Sequence, residues 1–389
     1  MKILQVIPYF VPAWDYGGPV SAAYNLSKEL SKRGHSITVY TTDTLNSEDR
    51  IKENEETKDG IKIRRFKNWS NSIASKHKIF FSPSMISGIR NNLKEFDVVH
   101  MFEYRTIQNI IVHHYAKKYR IPYILQAHGS LPRIMDKQKF KQIFDRLWGH
   151  RFLKDASKVI ALTSAEVEQY KRMGVSDEKI EIIPNGIDLS EFENLPKRGE
   201  FRKKYGLNSD KKIILYLARI HKIKGPDLLA RAFAGLIKEL ATAKLVIVGP
   251  DDGYLPSLKE LIKELGIEEK VLFTGPLYGR EKLEAYVDAD VYILPSVYET
   301  FPISVLEAFA CGTPVIVTNQ CGIADVISSQ AGYSVEYDKN QLHNAVVAIL
   351  TKVELTDRFR KKGCKLVREK FTWSRIIEQV EHLYLNVTV

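Results

Sequence analysis

Short runs rich in Val, Ile and Leu alternate along the chain with longer segments in which apolar residues recur at about every third or fourth place. A continuous apolar run fits a strand buried on both faces, and the longer period fits a helix with one buried side. The alternation therefore predicts parallel sheets covered by helices. In the first half the strand-like runs are KILQVIP, SITVYTT, IKIRRF, DVVHMF, YILQAHG, KVIALT and IEIIP. In the second they are KIILYLAR, KLVIVG, VLFTG, VYILPS, PVIVT and GYSV. Between them lie amphipathic stretches such as SAAYNLSKELSKRG, ended by Gly34. Both patterns break at PNGIDLSEFENLPKRGE, where turn residues, prolines and charge gather. The chain is thus expected to form two α/β domains with doubly wound parallel sheets, residues 1–186 and 187–370, followed by a terminal segment 371–389. The charged stretch LNSEDRIKENEETKDG is read as a loop.

Composition narrows the class. With 389 residues, 44% of them apolar, the chain can bury a sizeable core, which excludes wholesale disorder. No run approaches the roughly 20 apolar residues that span a bilayer, and MKILQVIPYF enters a strand without a cleavable signal pattern. A cytoplasmic protein is expected. Cys311, Cys321 and Cys364 are scattered without metal-ligand spacing, which fits a reducing compartment. The net charge of +11 is uneven: residues 61–160 hold 20 Lys and Arg against 6 Asp and Glu. That excess implies an anionic partner, whether nucleic acid, acidic lipid surface or phosphorylated ligand.

Open parallel sheets bind ligands at the carboxyl ends of their strands, so two such domains face a cleft lined by both sets of ends. The candidate motifs all follow strands. Gly17 and Gly18 open a helix after the first strand and would let backbone amides approach a phosphate; an ordinary tight turn is the competing reading. His128, in LQAHGS, is a candidate polar contact or proton carrier, or simply structural. Arg219 and Lys224, in LYLARIHKIKGPDLL, suit a diphosphate whose departing charge must be borne; a solvated basic loop is the alternative.

Glu299 lies in the loop VYETFP and Glu307 inside the short helix ISVLEAFACG, whose N-terminus offers amides near Phe301, Ile303 and Ser304. Two carboxylates flanking such a helix could grip two sugar rings by vicinal hydroxyls. The competing reading of Glu307 is a salt-bridged helix residue; its apolar neighbours argue instead for burial, where an unpaired carboxylate is costly. The acidic pairs Asp251-Asp252 and Asp288-x-Asp290 lack further ligands at coordinating spacing, so no required metal is expected.

The segment RIMDKQKFKQIFDRLWGHRFLK spaces Phe140, Phe144, Trp148 and Phe152 four residues apart, with Lys141, Arg151 and other cations interleaved. It is either a core-packing helix with a basic outer face or an amphipathic helix that meets an anionic membrane or lipid-linked acceptor. The basic aromatic tract FKNWSNSIASKHKIFF adds to the second reading, which would make the protein peripheral on the inner face of the cytoplasmic membrane. No recognition motif for nucleic acid is present, so none is expected as a partner.

Taken in order, Gly-Gly after the first strand, His-Gly, Arg then Lys-Gly, and Glu-x7-Glu followed by CGTPVI resemble the retaining glycosyltransferases of family 4, the glycosyl transferases group 1. The resemblance covers essentially the whole chain, including IPNGID at the domain join. It implies the GT-B fold of two Rossmann-like domains, an acceptor-side N-terminal domain, and a final helix, FTWSRIIEQVEHLYLNV, that crosses back to it. It also implies a nucleotide-diphosphate sugar donor, with UDP-sugars and GDP-mannose as candidates, and a lipid-linked or cell-envelope glycan acceptor. By the same resemblance Arg219 and Lys224 bind the diphosphate and stabilise the leaving group. Glu307 holds the ribose and Glu299 the donor sugar. His128 contacts that sugar from the other domain, and Gly17 and Gly18 approach phosphates or acceptor. Pro302 stands where the family often has glycine and removes one backbone donor. Two other functions compete: a sugar-nucleotide epimerase on the same fold, which would need acid and base groups across the sugar, and a non-catalytic sugar-nucleotide-binding, membrane-associated protein.

Overall fold

The apolar runs become strands of two separate sheets in the computed structural model of this chain, which describes residues 1–46, 48–134, 137–328 and 331–388 and leaves aside the side chains of residues 75 and 76. The first sheet holds β1 (Lys2–Val6), β2 (Ser36–Thr42), β3 (Glu55–Lys58), β4 (Ile61–Phe66), β5 (Val98–Phe102), β6 (Tyr123–Gln126), β7 (Lys158–Ala161) and β8 (Ile180–Ile182), in the order β3-β4-β2-β1-β5-β6-β7-β8. The second holds β9 (Lys212–Leu217), β10 (Ala243–Val248), β11 (Val271–Gly275), β12 (Val291–Leu294), β13 (Val315–Thr318) and β14 (Gly332–Val335), in the order β11-β10-β9-β12-β13-β14. Paired strands run parallel except β3 with β4. The charged stretch 45–60 is therefore not all loop: its EETK becomes an antiparallel edge strand, with Glu56 opposite Ile63. Residue 47 of that stretch lies outside the described residues.

The chain divides into two units, Met1–Gly186 with Trp373–Val389, and Ile187–Thr372. In the first, alternate side chains of each strand enter opposite layers, as a period of two requires. Ile3, Ile37, Val98 and Ile124 pack against the helix Gly18–Lys32 and the final helix Trp373–Thr388. Leu4, Val99, Met101 and Leu125 pack on the other face with Ile89, Val112, Phe152 and Tyr170. The final helix buries Trp373, Ile376, Ile377, Val380, Leu383 and Tyr384, each worth about 1.5–3 kcal/mol as a fully buried apolar side chain. It is also tied by Arg33 to Glu381 at 2.7 Å and by the Tyr384 hydroxyl to His100 Nδ1 at 2.7 Å. In the second unit Ile214, Tyr216, Leu245, Ile247, Val291 and Ile293 form the sheet's share of one core with the helices Pro226–Leu236 and Lys339–Thr351.

Several strands end before the apolar run does: β6 stops at Gln126, β9 at Leu217 and β12 at Leu294. The residues that leave the sheet there are the ones that carry the candidate chemistry.

Candidate active site

In the second unit the site grows from the exits of β9 and β12. After β9 the His221 ring accepts a hydrogen bond from the Ile223 amide at 3.1 Å and caps the short turn Lys222–Lys224. Gly225 follows at φ +66°, and a Cβ there would lie 1.9 Å from the Pro295 carbonyl oxygen. Only glycine lets the two strand exits approach so closely, and the approach delivers Lys224 to the loop after β12. Lys224 forms an ion pair with Glu299 in which both side chains are mostly buried. Glu299 is fixed from the other side, its amide donating to Gln320 O at 3.2 Å and its carbonyl accepting from Gly322 N at 2.8 Å. Arg219 pairs with Asp252, which follows β10.

The helix Ile303–Ala310 begins after Pro302, which serves as its N-cap. Phe301 is buried, its ring 5.6 Å from that of Phe371. The Ile303 and Ser304 amides stand in the first turn, ahead of any carbonyl four residues back within the helix. Ser304 Oγ accepts from the Tyr292 hydroxyl at 2.8 Å. Glu307 is not an unpaired carboxylate: Lys282 Nζ lies 2.6 Å from one oxygen and the Tyr286 hydroxyl donates to the other at 3.1 Å. Its burial therefore carries no penalty that would by itself argue for a ligand. Burial disfavours the Lys282 ammonium, but the charge and hydrogen bond of Glu307 outweigh this and raise its pKa. Burial raises the Tyr292 pKa, its hydrogen bond with Ser304 works against this, and Glu299 and Glu307 both add smaller upward pushes, so the two glutamates share one neighbourhood.

In the first unit Gly17 is the N-cap of the helix Gly18–Lys32, at φ +82°, and a side chain at Gly18 would meet no protein atom within 4 Å. His128 leaves β6 at φ +50° with its ring parallel to Phe102, centroids 5.6 Å apart. Its Nε2 is buried without a hydrogen-bond partner. Burial lowers its pKa to about 3, so the ring is neutral at physiological pH and is no cationic proton donor. The turn it occupies is pinned from behind: the Gly129 amide donates to Glu166 at 2.7 Å and the Ala127 amide to the Tyr170 hydroxyl at 3.0 Å. Burial raises the Glu166 pKa to about 7, against the two backbone amides that favour its charged form.

The aromatic segment splits. Residues 138–155 form one helical stretch with a π-type turn at Asp145–Gly149; residues 135 and 136 of the segment lie outside the described residues. Four residues overshoot one turn of an α-helix, so a four-residue stripe drifts around the surface and its members do not all stay on one face. Phe152 is buried and Phe144 partly so, both against Tyr104, whereas Phe140 is 74% exposed and Trp148 is exposed with Ile143 and Leu147. Lys139, Arg146, Arg151 and Lys154 are exposed around them. Lys141 instead donates to the Ile134 carbonyl at 2.7 Å. Lys137 donates to the His77 carbonyl at 3.0 Å, which brings the second tract alongside, with Trp69, Ile73 and Ile79 exposed. Buried Asp145 anchors the turn through a bidentate pair with Arg105, 2.9 Å on both oxygens, and through Arg133 Nε at 2.8 Å. Gly149 lies against Tyr104, whose hydroxyl a Cβ would meet at 2.1 Å.

The acidic pairs have structural work. Asp251 accepts three amides, from Gly253, Tyr254 and Leu255, and Asp288 accepts the Gly199 and Arg202 amides. Asp290 pairs with Arg198 and Arg202. Among the described residues no group of three or more His, Cys, Asp or Glu gathers in metal-binding geometry, and no helix is long and apolar enough to cross a membrane. Sequence reasoning missed the partners: Lys282, Tyr286, Asp252 and Glu166. Lys282 and Tyr286 are one helical turn apart and thus share a face; Thr163-Ser-Ala-Glu166 reads as a capping box, yet Glu166 reaches the Leu162 and Gly129 amides.

Two doubly wound parallel-sheet units with polar side chains at their strand ends are the architecture of the GT-B fold class. A solved structure of that class, Anabaena Alr3699/HepE in complex with UDP and glucose, is similar with a TM-score of 0.82 at 19% identity, over 99% of this chain and 100% of that one. The model "Glycosyl transferases group 1" matches residues 197–366 and "Glycosyltransferase Family 4" residues 16–191. An uncharacterized glycosyltransferase of Methanocaldococcus jannaschii is 27% identical over 99% of this chain and 98% of its own length. Alpha-monoglucosyldiacylglycerol synthase of Streptococcus pneumoniae is 29% identical over 86% of this chain and 75% of its own. The chain belongs to glycosyltransferase family 4, the group 1 glycosyl transferases, and is a retaining glycosyltransferase.

Proposed function

We propose that this enzyme moves a hexose-type sugar from a nucleotide-diphosphate sugar to a lipid-linked or cell-envelope glycan, at the cytoplasmic face of a membrane. The carrying observation is the Lys224–Glu299 pair beside the N-terminus of the helix Ile303–Ala310, with Arg219 on the same β9 exit. Lys224 and Arg219 hold the diphosphate and meet the charge that builds on it as its bond to the anomeric carbon breaks, while the acceptor oxygen bonds to that carbon. Lys224 exchanges part of its contact with Glu299 for the diphosphate, which turns the Glu299 carboxylate to the donor sugar's hydroxyls. The amides of the helix's first turn take phosphate or sugar oxygens, with Pro302 supplying none. Glu307 takes the ribose hydroxyls with Lys282 fixing its orientation. Neutral His128 contacts the sugar, and Gly17 and Gly18 give backbone access to phosphates or acceptor. Because the two cations supply the charge, no metal is required. UDP and glucose bound to the Anabaena protein support a nucleotide-sugar donor.

The test is a donor screen with UDP-sugars and GDP-mannose, in the presence of EDTA, following nucleotide release and product identity. Transfer without nucleotide release, or epimerised donor alone, would remove the assignment. In the same screen Glu307→Ala weakens nucleotide binding about 10- to 100-fold, the loss of one charged hydrogen-bonding group, with little change in turnover at saturating donor. Unchanged affinity would detach Glu307 from the ribose.

The exposed Phe140, Ile143, Leu147 and Trp148, with the neighbouring Trp69, Ile73 and Ile79, are ringed by cations and suit an anionic membrane surface. The Streptococcus relative, a glycolipid synthase, supports a lipid-associated acceptor. The enzyme should float with vesicles containing anionic lipid and not with neutral ones, and Phe140→Ser with Trp148→Ser should abolish flotation. Equal recovery with both vesicle types counts against the membrane.

A further inference from the structure

The turn Ala127-His128-Gly129-Ser130 leaves β6 with positive φ at both central residues, +50° and +79°, as a type I′ turn requires. It closes through the Ser130 amide, which donates to the Ala127 carbonyl at 3.1 Å. Glycine takes such a backbone without cost and histidine does not, so an imidazole at the first central place is strain that the surroundings have to hold. Two side chains of one helix hold it. The helix Ser164–Arg172 carries Glu166 and Tyr170 four residues apart on one face. Glu166 Oε1 accepts from the Gly129 amide at 2.7 Å and Oε2 from the Leu162 amide at 2.8 Å. The Tyr170 hydroxyl accepts from the Ala127 amide at 3.0 Å and donates to the Ile160 carbonyl at 3.2 Å. One carboxylate thus ties the exits of the neighbouring strands β6 and β7 together, with the amide next to His128 on one of its oxygens. The His128 ring is backed in turn by Phe102, which also stacks on the His100 ring with centroids 4.3 Å apart.

The clamp depends on charge. Both oxygens of Glu166 face N–H donors, which an ionised carboxylate satisfies; a proton would turn one oxygen into a donor set against an amide. Glu166 is fully buried, and no ion pair reaches it among the described residues. The titratable groups on the elements around it are Tyr170 on its own helix, His128 on the turn and Tyr104 after β5. None of them is charged at neutral pH: burial raises the Tyr170 pKa, with the Glu166 charge adding to this, burial likewise raises that of Tyr104, and burial lowers that of His128. The charged Glu168, Lys171 and Arg172 of the same helix are exposed. Glu166 itself is governed by burial, which brings its pKa to about 7 against the two amides, so it changes charge near neutral pH.

We propose that Glu166, as a carboxylate, is a positioning residue for transfer: it fixes the main chain that aims His128 at the donor sugar, and protonation releases that hold. Transfer therefore weakens on the acid side of the Glu166 titration although His128 stays neutral throughout. This rests on the reading of His128 as a donor-sugar contact given above and adds to it the group that sets its place and its dependence on pH.

The full chain, free of ligand, is titrated from about pH 6 to about pH 8 while NMR follows the Gly129 amide. Labelling histidine carbonyl carbon together with glycine nitrogen singles that amide out, because His-Gly occurs once in the sequence. In the wild type its signal shifts with a midpoint near 7, and in Glu166→Gln, which keeps the shape and drops the charge, it does not. The same pH series then reads nucleotide release from the UDP-sugars and GDP-mannose of the screen at saturating donor. Wild-type turnover falls as pH drops below about 7. Glu166→Gln is about 10- to 100-fold slower at about pH 8, the cost of a misplaced contact, and has lost the acid limb, while its UDP affinity equals that of the wild type. A merely structural carboxylate would lower the thermal midpoint of the variant and leave the acid limb in place. A Gly129 signal that stays constant in the wild type, an acid limb kept by Glu166→Gln, or turnover of that variant within about threefold of wild type overturns the proposal. The wild-type titration needs no variant to fold and no donor to bind. His128→Ala at wild-type turnover instead removes the donor-sugar reading of His128, a result separate from the Gly129 titration.

Discussion

Replacing Lys224 with alanine lowers transfer by about 10³-fold, or ~4 kcal/mol, because the cation proposed to face the departing diphosphate is removed from a largely buried position. Donor affinity falls less, since charge on the diphosphate grows mainly as the bond breaks. The variant also leaves Glu299 without its ion-pair partner beside the reacting sugar. Glu299→Ala on its own lowers turnover, and the two changes are strongly non-additive: the double variant is no more than about tenfold worse than Lys224→Ala. Single-turnover measurements at saturating donor check both. A Lys224→Ala rate within about tenfold of wild type would place the leaving-group charge on another residue.

Asp145→Asn is expected to be the most damaging change to the first unit. The carboxylate is fully buried and neutralises Arg105 and Arg133 together, so losing it strands the largely buried Arg105 charge at a cost of about 3–5 kcal/mol. Hydrogen exchange should accelerate across residues 98–155 and stay unchanged across 187–372, where Asp145 has no part. Exchange at wild-type rates in 98–155 would show that the turn stands without its anchor. Burial works against ionising Asp145, but the hydrogen bonds and charges of Arg105 and Arg133 outweigh it and hold the carboxyl below its usual range. The folded pKa is thus depressed. The contribution is present above the unfolded value of about 4 and is lost as pH falls through the folded one. The stability gap between wild type and Asp145→Asn should therefore close as pH drops below about 4.

What the sequence disclosed and what it hid divide along physical lines. Strands such as β5, VVHMF, and β12, VYIL, are buried on both faces, so their apolar runs need no context to be recognised. β3, EETK, is an edge strand whose side chains are exposed or only partly buried, and nothing but pairing with β4 makes it a strand. The positions of Arg219, Lys224, Glu299 and Glu307 after strands were legible because loops inherit their places from the sheet. Their partners were not: Asp252 and Lys282 come from other strand exits and helices, and pairings across the fold leave no local period. The four-residue aromatic spacing left two readings open for a related reason. It could not tell its covered members from its exposed ones, because Phe144 and Phe152 are covered by Tyr104, far away in sequence.

The final helix has a further consequence for biosynthesis. Its apolar face completes one layer of the first unit's core, yet the whole second unit precedes it in the chain. During vectorial synthesis that layer, around Ile3, Ile37 and Val98, cannot be completed until the second unit has been made. The second unit carries no such dependence on later chain, because its core lies within 187–372.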